Sequence, residues 1–447
     1  MVEIRQLVRL ATFGYECMLP NILSFWVVAI IPEIMLHNLG VTNKEALSYY
    51  CGNYMSMFFW GIMVGSFLWP TIVNYLSKRN SVLVGIIGLG FFNYLIGQTT
   101  SLNMIFFYRF MCGIFHNLNS VGKDFIFDFA KPTFRLWAFS IKTLFTFVAT
   151  FIGPWLGYKL YVWCNRDFAL SIFYITLAFV VGVILFVVVY YVDFTPGDAD
   201  EDETPKEHRD EEKQKLIEGA SAKSDEIGQR GLLEVFKIVL KSQNLRSLII
   251  IYFVTNGVYK AGNMIAILFM ETPYADGGFG VTSDVISFIS LLAFIPAAIL
   301  VLVSPKFVPS VISYKAFITF FVSTLIIAFT FFPLSRDLIA AEGNQKYVWV
   351  SYVLLGFLYA SVPKLYSPFI NYNLNKGVDK HSRTSLNAVT FILSSASAGF
   401  FTTFIAPLLG ISMYNPTLSG YCWAKYVAFV VLDIFLIIAL WFIRKID

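Results

Sequence analysis

The chain has 447 residues, of which 57% are hydrophobic and only 14% charged, with a formal net charge of +4. Soluble domains carry roughly 25% charged residues, so this composition excludes a water-soluble globular protein. The basic residues follow the loops and form no stripe for nucleic acid.

Apolar stretches of about 20 residues recur along nearly the whole length, and each is long enough to cross a bilayer as a helix. Barrel strands, at about 10 residues with alternating polarity, do not fit them. In chain order the spans fall at 19–38, 49–76, 81–99, 103–127, 134–160 and 168–192, then at 246–270, 282–304, 310–333, 347–372, 384–410 and 424–443. The sequence therefore predicts an all-α polytopic membrane protein with twelve transmembrane helices, six in residues 1–192 and six in residues 246–447. Arg5 and Arg9 precede a first span that is too long and too polar at its end for a cleaved signal peptide. The same basic start also reads as an organelle-targeting segment.

Loop charges orient the chain. With the N-terminus in the cytosol, fourteen Lys and Arg residues fall in short inside segments and six in outside segments, as the positive-inside rule requires. Both termini are then cytosolic, or on the matrix side if the membrane is mitochondrial. Residues 193–245 form the one long polar region. Asp193 to Arg230 holds thirteen acids and six bases, a composition that cannot bury enough apolar surface to fold alone. It reads as a cytosolic linker. Leu232, Val235, Phe236, Val239 and Leu240 then follow helical spacing, with Glu234, Lys237 and Lys241 opposite, as in an interfacial amphipathic helix.

One eleven-residue stretch occurs twice. Phe147–Gly157 reads FVATFIGPWLG and Phe400–Gly410 reads FFTTFIAPLLG. Both are too apolar to face water, and each sits late in its own half, which points to a duplicated bundle. Duplicated bundles are typical of secondary transporters. Within the repeat, Pro154 and Pro407 each remove a backbone hydrogen bond, while Gly153, Gly157 and Gly410 permit close packing. A pivot and seal between helices is the expected role of both copies.

Charged residues inside spans are expensive and usually face a cavity or one another. Six stand out: Glu33, Arg109, Lys142, Lys260, Lys364 and Asp433. Each keeps a structural alternative. Glu33 lies near a helix end and can touch water, Lys142 and Lys364 can snorkel to the interface, and Asp433 can pair with a neighbouring helix. Arg109 and Gly113 form an R-x-x-x-G on the fourth span, where the glycine lets a neighbouring helix approach one turn from the guanidinium. His116, Asn117 and Asn119 share that helix, and His116 has the side chain suited to titrate near neutral pH. The five cysteines show no metal-ligand spacing. Cys164 and Cys422 fall on the same side of the membrane, which leaves a disulfide open. No Gly-rich phosphate loop or nucleophile with a base is present, so neither an enzyme nor a cofactor is expected.

Several of these stretches resemble the major facilitator superfamily, in particular its tetracycline-resistance-like and zinc-induced-facilitator-like drug:proton antiporters. Ser66–Leu83 (SFLWPTIVNYLSKRNSVL) resembles that branch's S-x-x-W-G-x-x-x-D-R-x-G-R-x-x-V-L. Arg109–Phe125 (RFMCGIFHNLNSVGKDF) is similar to R-x-x-x-G-x-x-x-G-N-x-G-V, and Gly153–Gly157 to the antiporter G-P-x-x-G. Ser385–Asn387 with Pro407 and Gly410 resembles the eleventh-span pattern. The likeness departs in the loop, where Asn74 and Tyr75 replace the Asp-Arg pair and Ser77 replaces a glycine, while Lys78 and Arg79 are kept. The charge lock that the motif normally provides should be weaker here.

The resemblance implies two pseudo-symmetric six-helix bundles around a midplane cavity, and a small organic solute exported in exchange for protons. Glu33 and Asp433 are the candidate proton carriers. Arg109, His116, Asn117, Lys142, Lys260 and Lys364 are the candidate cavity residues, and their positive excess favours an anionic or zwitterionic solute. The eroded loop motif and an unusually aromatic surface motivate the rival reading, a transporter-derived structural subunit of a larger membrane complex.

Overall fold

The computed structural model describes residues 2–27, 30–116, 121, 135–192, 237, 240–289, 291–292, 314–342, 383–415, 417–418, 421 and 423–445. Every regular element among them is helical: α1 (Val2–Phe25), α2 (Ile31–His37), α3 (Lys44–Leu76), α4 (Lys78–Gly97), α5 (Leu102–Phe115), α6 (Arg135–Trp163), α7 (Phe168–Val187), α8 (Gln243–Glu271), α9 (Tyr314–Glu342), α10 (Arg383–Tyr414) and α11 (Val427–Ile443). A π-helical turn, Val188–Val192, extends α7. Six helices among the described residues are long and apolar enough to cross a membrane.

Polar residues at the loop ends start these helices. The Asn43 side chain accepts hydrogen bonds from the Glu45 and Ala46 amides at the head of α3. Asp167 and Ser242 do the same for α7 and α8 through the amides of Leu170 and Leu245. Each cap satisfies an amide that has no partner within its helix.

Helix pairing repeats between the two halves. In the first half α1 packs on α6 and α7, and α4 packs on α7. In the second half α8 packs on α10 and α11, and α9 packs on α11. The same three pairings thus recur, which is the pseudo-twofold relation expected of a duplicated bundle. Exposed aliphatic stripes mark the lipid side, for example Val180, Val181, Ile184 and Val188 on α7 and its extension, and Val430, Ile434 and Ile437 on α11. Such continuous apolar surface requires a non-aqueous surround.

The structure corrects the first span. Hydropathy starts it at residue 19, but α1 begins at Val2 and the span is broken between Phe25 and Ile31. Arg9 and Glu16 lie inside the fold, 3% and 0% exposed. A hydropathy window stops at such charges, whereas the helix continues because its backbone bonds are unaffected and the side chains are covered by packing. Pro32, in the first turn of α2, suits a helix start and not a helix interior, since it has no amide hydrogen to donate to the preceding turn. The fourth span is corrected at its other end. Helix α5 stops at Phe115, with His116 at ψ 61°, and of residues 117–127 only Val121, which is helical, is described.

The span at 347–372 and most of that at 282–304 lie outside the described residues, as do the linker 193–236, Leu232, Val235, Phe236 and Val239. Of the expected interfacial helix, Lys237, Leu240 and Lys241 are described, and all three are exposed. Cys164 is a free, buried thiol, so the disulfide left open from the sequence is not formed.

The loop between α3 and α4 keeps a glycine conformation without the glycine. Ser77 has φ 62° and ψ 156°, a region that costs a residue with a Cβ about 1–3 kcal/mol. Ser77→Gly should therefore stabilise the protein by about 1 kcal/mol, after allowing for the greater freedom of glycine in the unfolded chain. A raised thermal midpoint in detergent is the expected readout, and an unchanged or lowered midpoint refutes it.

Candidate functional site

Arg109 is the largest charged group wholly enclosed by the described residues, at 0% exposure. Gly113, one turn away, makes the enclosure possible. A Cβ on Gly113 would meet the Phe58 carbonyl oxygen and stand 2.8 Å from the Gly61 Cα, so α3 and α5 cross backbone to backbone. That crossing lays the Arg109 guanidinium 4.7 Å from the ring centres of both Tyr54 and Phe58. Its Nη1 donates to the Leu23 carbonyl of α1 at 3.2 Å. Nε and Nη2 are buried and have no hydrogen-bond partner among the described residues. Unpaired buried donors are costly, and two on one fixed planar fork suit an acidic group.

The other candidates fall in different places. Lys260, on α8, brings its ammonium 5.2 Å from the Phe25 ring and 5.6 Å from the Phe59 ring, so it reaches from the second half to α1 and α3 of the first. His116 is 6% exposed, and its ring meets Phe58 edge-on at 5.5 Å. Asp433 lies between α9 and α11, where its Oδ2 accepts a 2.8 Å hydrogen bond from Thr330. It is thus set apart from the Arg109 pocket, in the pairing with a neighbouring helix that the sequence left open. Lys142 and Asn74 are on α6 and α3, but their side chains lie outside the described residues. So do Asn117 and Lys364 altogether.

In the loop motif, Arg79 binds the end of the sixth span. Its Nη1 donates to the Tyr190 carbonyl at 2.9 Å and its guanidinium covers the Tyr191 ring at 4.1 Å. It caps the C-terminal end of the sixth span, a favourable place for a cation. Lys78 opens α4. Tyr75, which stands in the place of the family's arginine, is 85% exposed.

The halves meet along α3 and α10. Gly52 faces Ala406 and Thr402, Gly399 lies beneath the Trp60 ring, and Gly410 abuts the Glu45 carbonyl and Ser48. The Trp60 indole donates to Thr403 at 3.4 Å. These contacts gather toward the Lys44 end of α3, whereas Phe67, Leu68 and Tyr75 near its other end are exposed. The two copies of the repeated stretch serve different neighbours. Gly157 packs on the Trp26 backbone, with Gly153 beside Phe25, both at the break of the first span, while Gly410 packs across the seam. Pro154 and Pro407 lie inside helices that continue past them.

Polar bridges cross the seam at the same end. Lys44 forms an ion pair with Asp276, and this hydrogen bond holds the Lys44 ammonium above its ordinary pKa. Glu33 pairs with Arg166 at 3.3 Å and accepts from Ser283 at 3.3 Å. Glu33, Glu271, Arg166 and Ser283 line a cavity of about 800 Å³ between the halves.

Sequence reasoning missed two acids, Glu271 and Glu16. Glu271 sits one residue past the end assigned to the seventh span. Glu16 lies before the start assigned to the first, packed against Gly182, and both its oxygens lack a hydrogen-bond partner among the described residues. Scoring acids just beyond the apolar windows would have flagged both. No group of residues suited to hold a metal ion occurs among the described residues.

Comparison with known proteins agrees with this architecture. The model of the Major Facilitator Superfamily matches residues 17–403. The protein ZINC INDUCED FACILITATOR 1 of Arabidopsis thaliana is 25% identical over 124 residues, which is 28% of this chain and 26% of that protein. A D-xylose–proton symporter superposes with a TM-score of 0.69 at 12% identity, covering 99% of this chain and 98% of its own. A POT family transporter in complex with a thioalcohol-conjugated peptide gives 0.66 at 15% identity, covering 98% and 96%. The nucleoside transporter NupG gives 0.63 at 13% identity, covering 98% of each chain.

Proposed function

Because this chain belongs to the Major Facilitator Superfamily, we propose that it is a secondary active transporter that exchanges a small anionic or zwitterionic solute for protons. The observation that carries this reading is the enclosed Arg109 guanidinium. Two of its donor nitrogens are buried with no hydrogen-bond partner among the described residues, and a carboxylate or phosphate of a solute matches that fork in charge and geometry. Lys260, close to the first half through Phe25 and Phe59, adds a second positive charge at the junction of the halves.

Alternating access follows from the placement of the contacts between halves. With the N-terminus in the cytosol, the Lys44 end is the non-cytosolic end. Its helix seam, ion pair and hydrogen bonds hold that mouth shut, so the arrangement corresponds to a carrier closed to the outside. Rocking about the α3–α10 seam exchanges the closed end for the other. Proton exchange then requires a carboxyl group at the moving contacts, where Glu33 and its neighbours lie, whereas Asp433 is held between α9 and α11.

The test is a panel of anionic, zwitterionic and cationic solutes in proteoliposomes under an imposed pH gradient. Uptake of an acidic or zwitterionic solute that collapses with the gradient is the expected result. Uptake of cations alone overturns the assigned substrate class. Absence of flux for every solute favours the structural-subunit reading.

A further inference from the structure

The cavity at the Lys44 end contains a hydrogen-bond arrangement that the proposed function has not used. The Ser283 hydroxyl, 8% exposed, lies 2.8 Å from Glu271 Oε1 and 3.3 Å from Glu33 Oε2. A serine hydroxyl has one proton to donate, and an ionised carboxylate has none. Two ionised carboxylates therefore cannot both be bonded through this oxygen. One must bring its own proton.

The surroundings decide which. Glu33 Oε1 faces the Arg166 guanidinium at 3.3 Å, a cation within ion-pair reach. Glu271 has no cation in ion-pair reach among the described residues. Lys44, on α3, is held by Asp276. Tyr414, on α10, donates to Thr272 at 3.2 Å. His37 on α2, Tyr158 on α6, Tyr274 and Asp284 complete the titratable lining, and Asp284 takes the Thr282 hydroxyl. Buried Cys51 on α3 stands on the other side of Glu271.

We infer that Glu271 is a neutral carboxylic acid that donates to Ser283, which donates to the Glu33 anion, so that one proton latches the second half of the bundle to the first. The relay runs from the carboxyl through the hydroxyl to the carboxylate and ends on the guanidinium, and each of these contacts then has a donor and an acceptor. Opening this end draws Glu33 and α2 away from Ser283. Water then reaches Glu271, its proton passes to water, and the two like charges oppose reclosing until a proton returns. This deepens the proposed exchange of solute for protons and rests on it for its purpose, though not for its chemistry.

The purified full-length protein in nanodiscs tests the inference without any solute. Infrared spectroscopy over a pH series should show a protonated carboxyl band that titrates. Glu271→Gln should remove one component of it, whereas Glu16→Gln, at the other enclosed acid, should leave that component. A maleimide-reactive cysteine placed by Ser48→Cys, behind the seam, should label about tenfold faster above the titration midpoint than below it, a ratio that corresponds to about 1.4 kcal/mol of coupling. The unsubstituted protein serves as the blank. Ser283→Ala, which cuts the relay and keeps both acids, should retain the band but make labelling indifferent to pH. Labelling that is independent of pH in the parent, or a Glu271→Gln profile equal to the parent's, overturns the inference. Solute flux with a pH-insensitive mouth defeats the relay alone. A pH-sensitive mouth with no solute flux defeats the transport reading alone.

Discussion

Gly113→Ala should leave little folded protein. The added Cβ would meet the Phe58 carbonyl and stand 2.8 Å from both the Gly61 Cα and the Ile62 nitrogen. These are backbone atoms of α3 and cannot rotate away as the end of a side chain would. Helices α3 and α5 would have to separate, and the Arg109 guanidinium would lose its seat over Tyr54 and Phe58. Overpacking of this kind costs about 3 kcal/mol when backbone must move. The expected outcome is a large drop in monodisperse yield and in the thermal midpoint. Gly153→Ala is the comparison, since its Cβ would lie 3.3 Å from the Phe25 side chain, and it should be nearly neutral. Equal behaviour of the two variants would show that the α3–α5 crossing does not limit the fold.

Arg109→Ala should reduce transport roughly a hundredfold while the protein still purifies as a folded species. Hydrogen bonds from a charged group to a buried ligand are worth about 3 kcal/mol, and each 1.4 kcal/mol is about tenfold in affinity. Removing the guanidinium also removes two buried donor nitrogens that have no hydrogen-bond partner among the described residues, which offsets part of the packing lost against Tyr54 and Phe58. Arg109→Lys should recover little, because an ammonium does not reproduce the planar fork. Solute uptake in proteoliposomes, normalised to protein that elutes as a single species, is the measurement. Parental flux in Arg109→Ala would remove Arg109 from the site.

The placement of Glu33, Glu271 and Asp433 separates what is local from what is not. All three are acids in or beside apolar stretches, and nothing in their neighbouring residues distinguishes them. Asp433 lies on the helix with exposed Val430 and Ile434 and accepts a hydrogen bond from Thr330. Glu33 and Glu271 come from different halves and meet at one serine. The Arg109–Gly113 spacing was more informative, because both parts of that contact lie on one helix turn. Arg79 was read as part of the loop motif, yet it binds the end of α7 within its own half, a partner 111 residues away that no local pattern names.

The amino-acid sequence alone determined the solvent of this protein, the helical nature of its spans, its doubling and its family. Those properties depend on total apolar content, on runs long enough to cross hydrocarbon, and on a stretch written twice. The tertiary structure alone decided which charges lie enclosed, which halves they join and where along the helices the halves meet. The physical reason is that lipid and protein interior are both apolar, so a spanning helix is hydrophobic on every face and its sequence does not say which side turns inward. Only the packed rotation of each helix settles that.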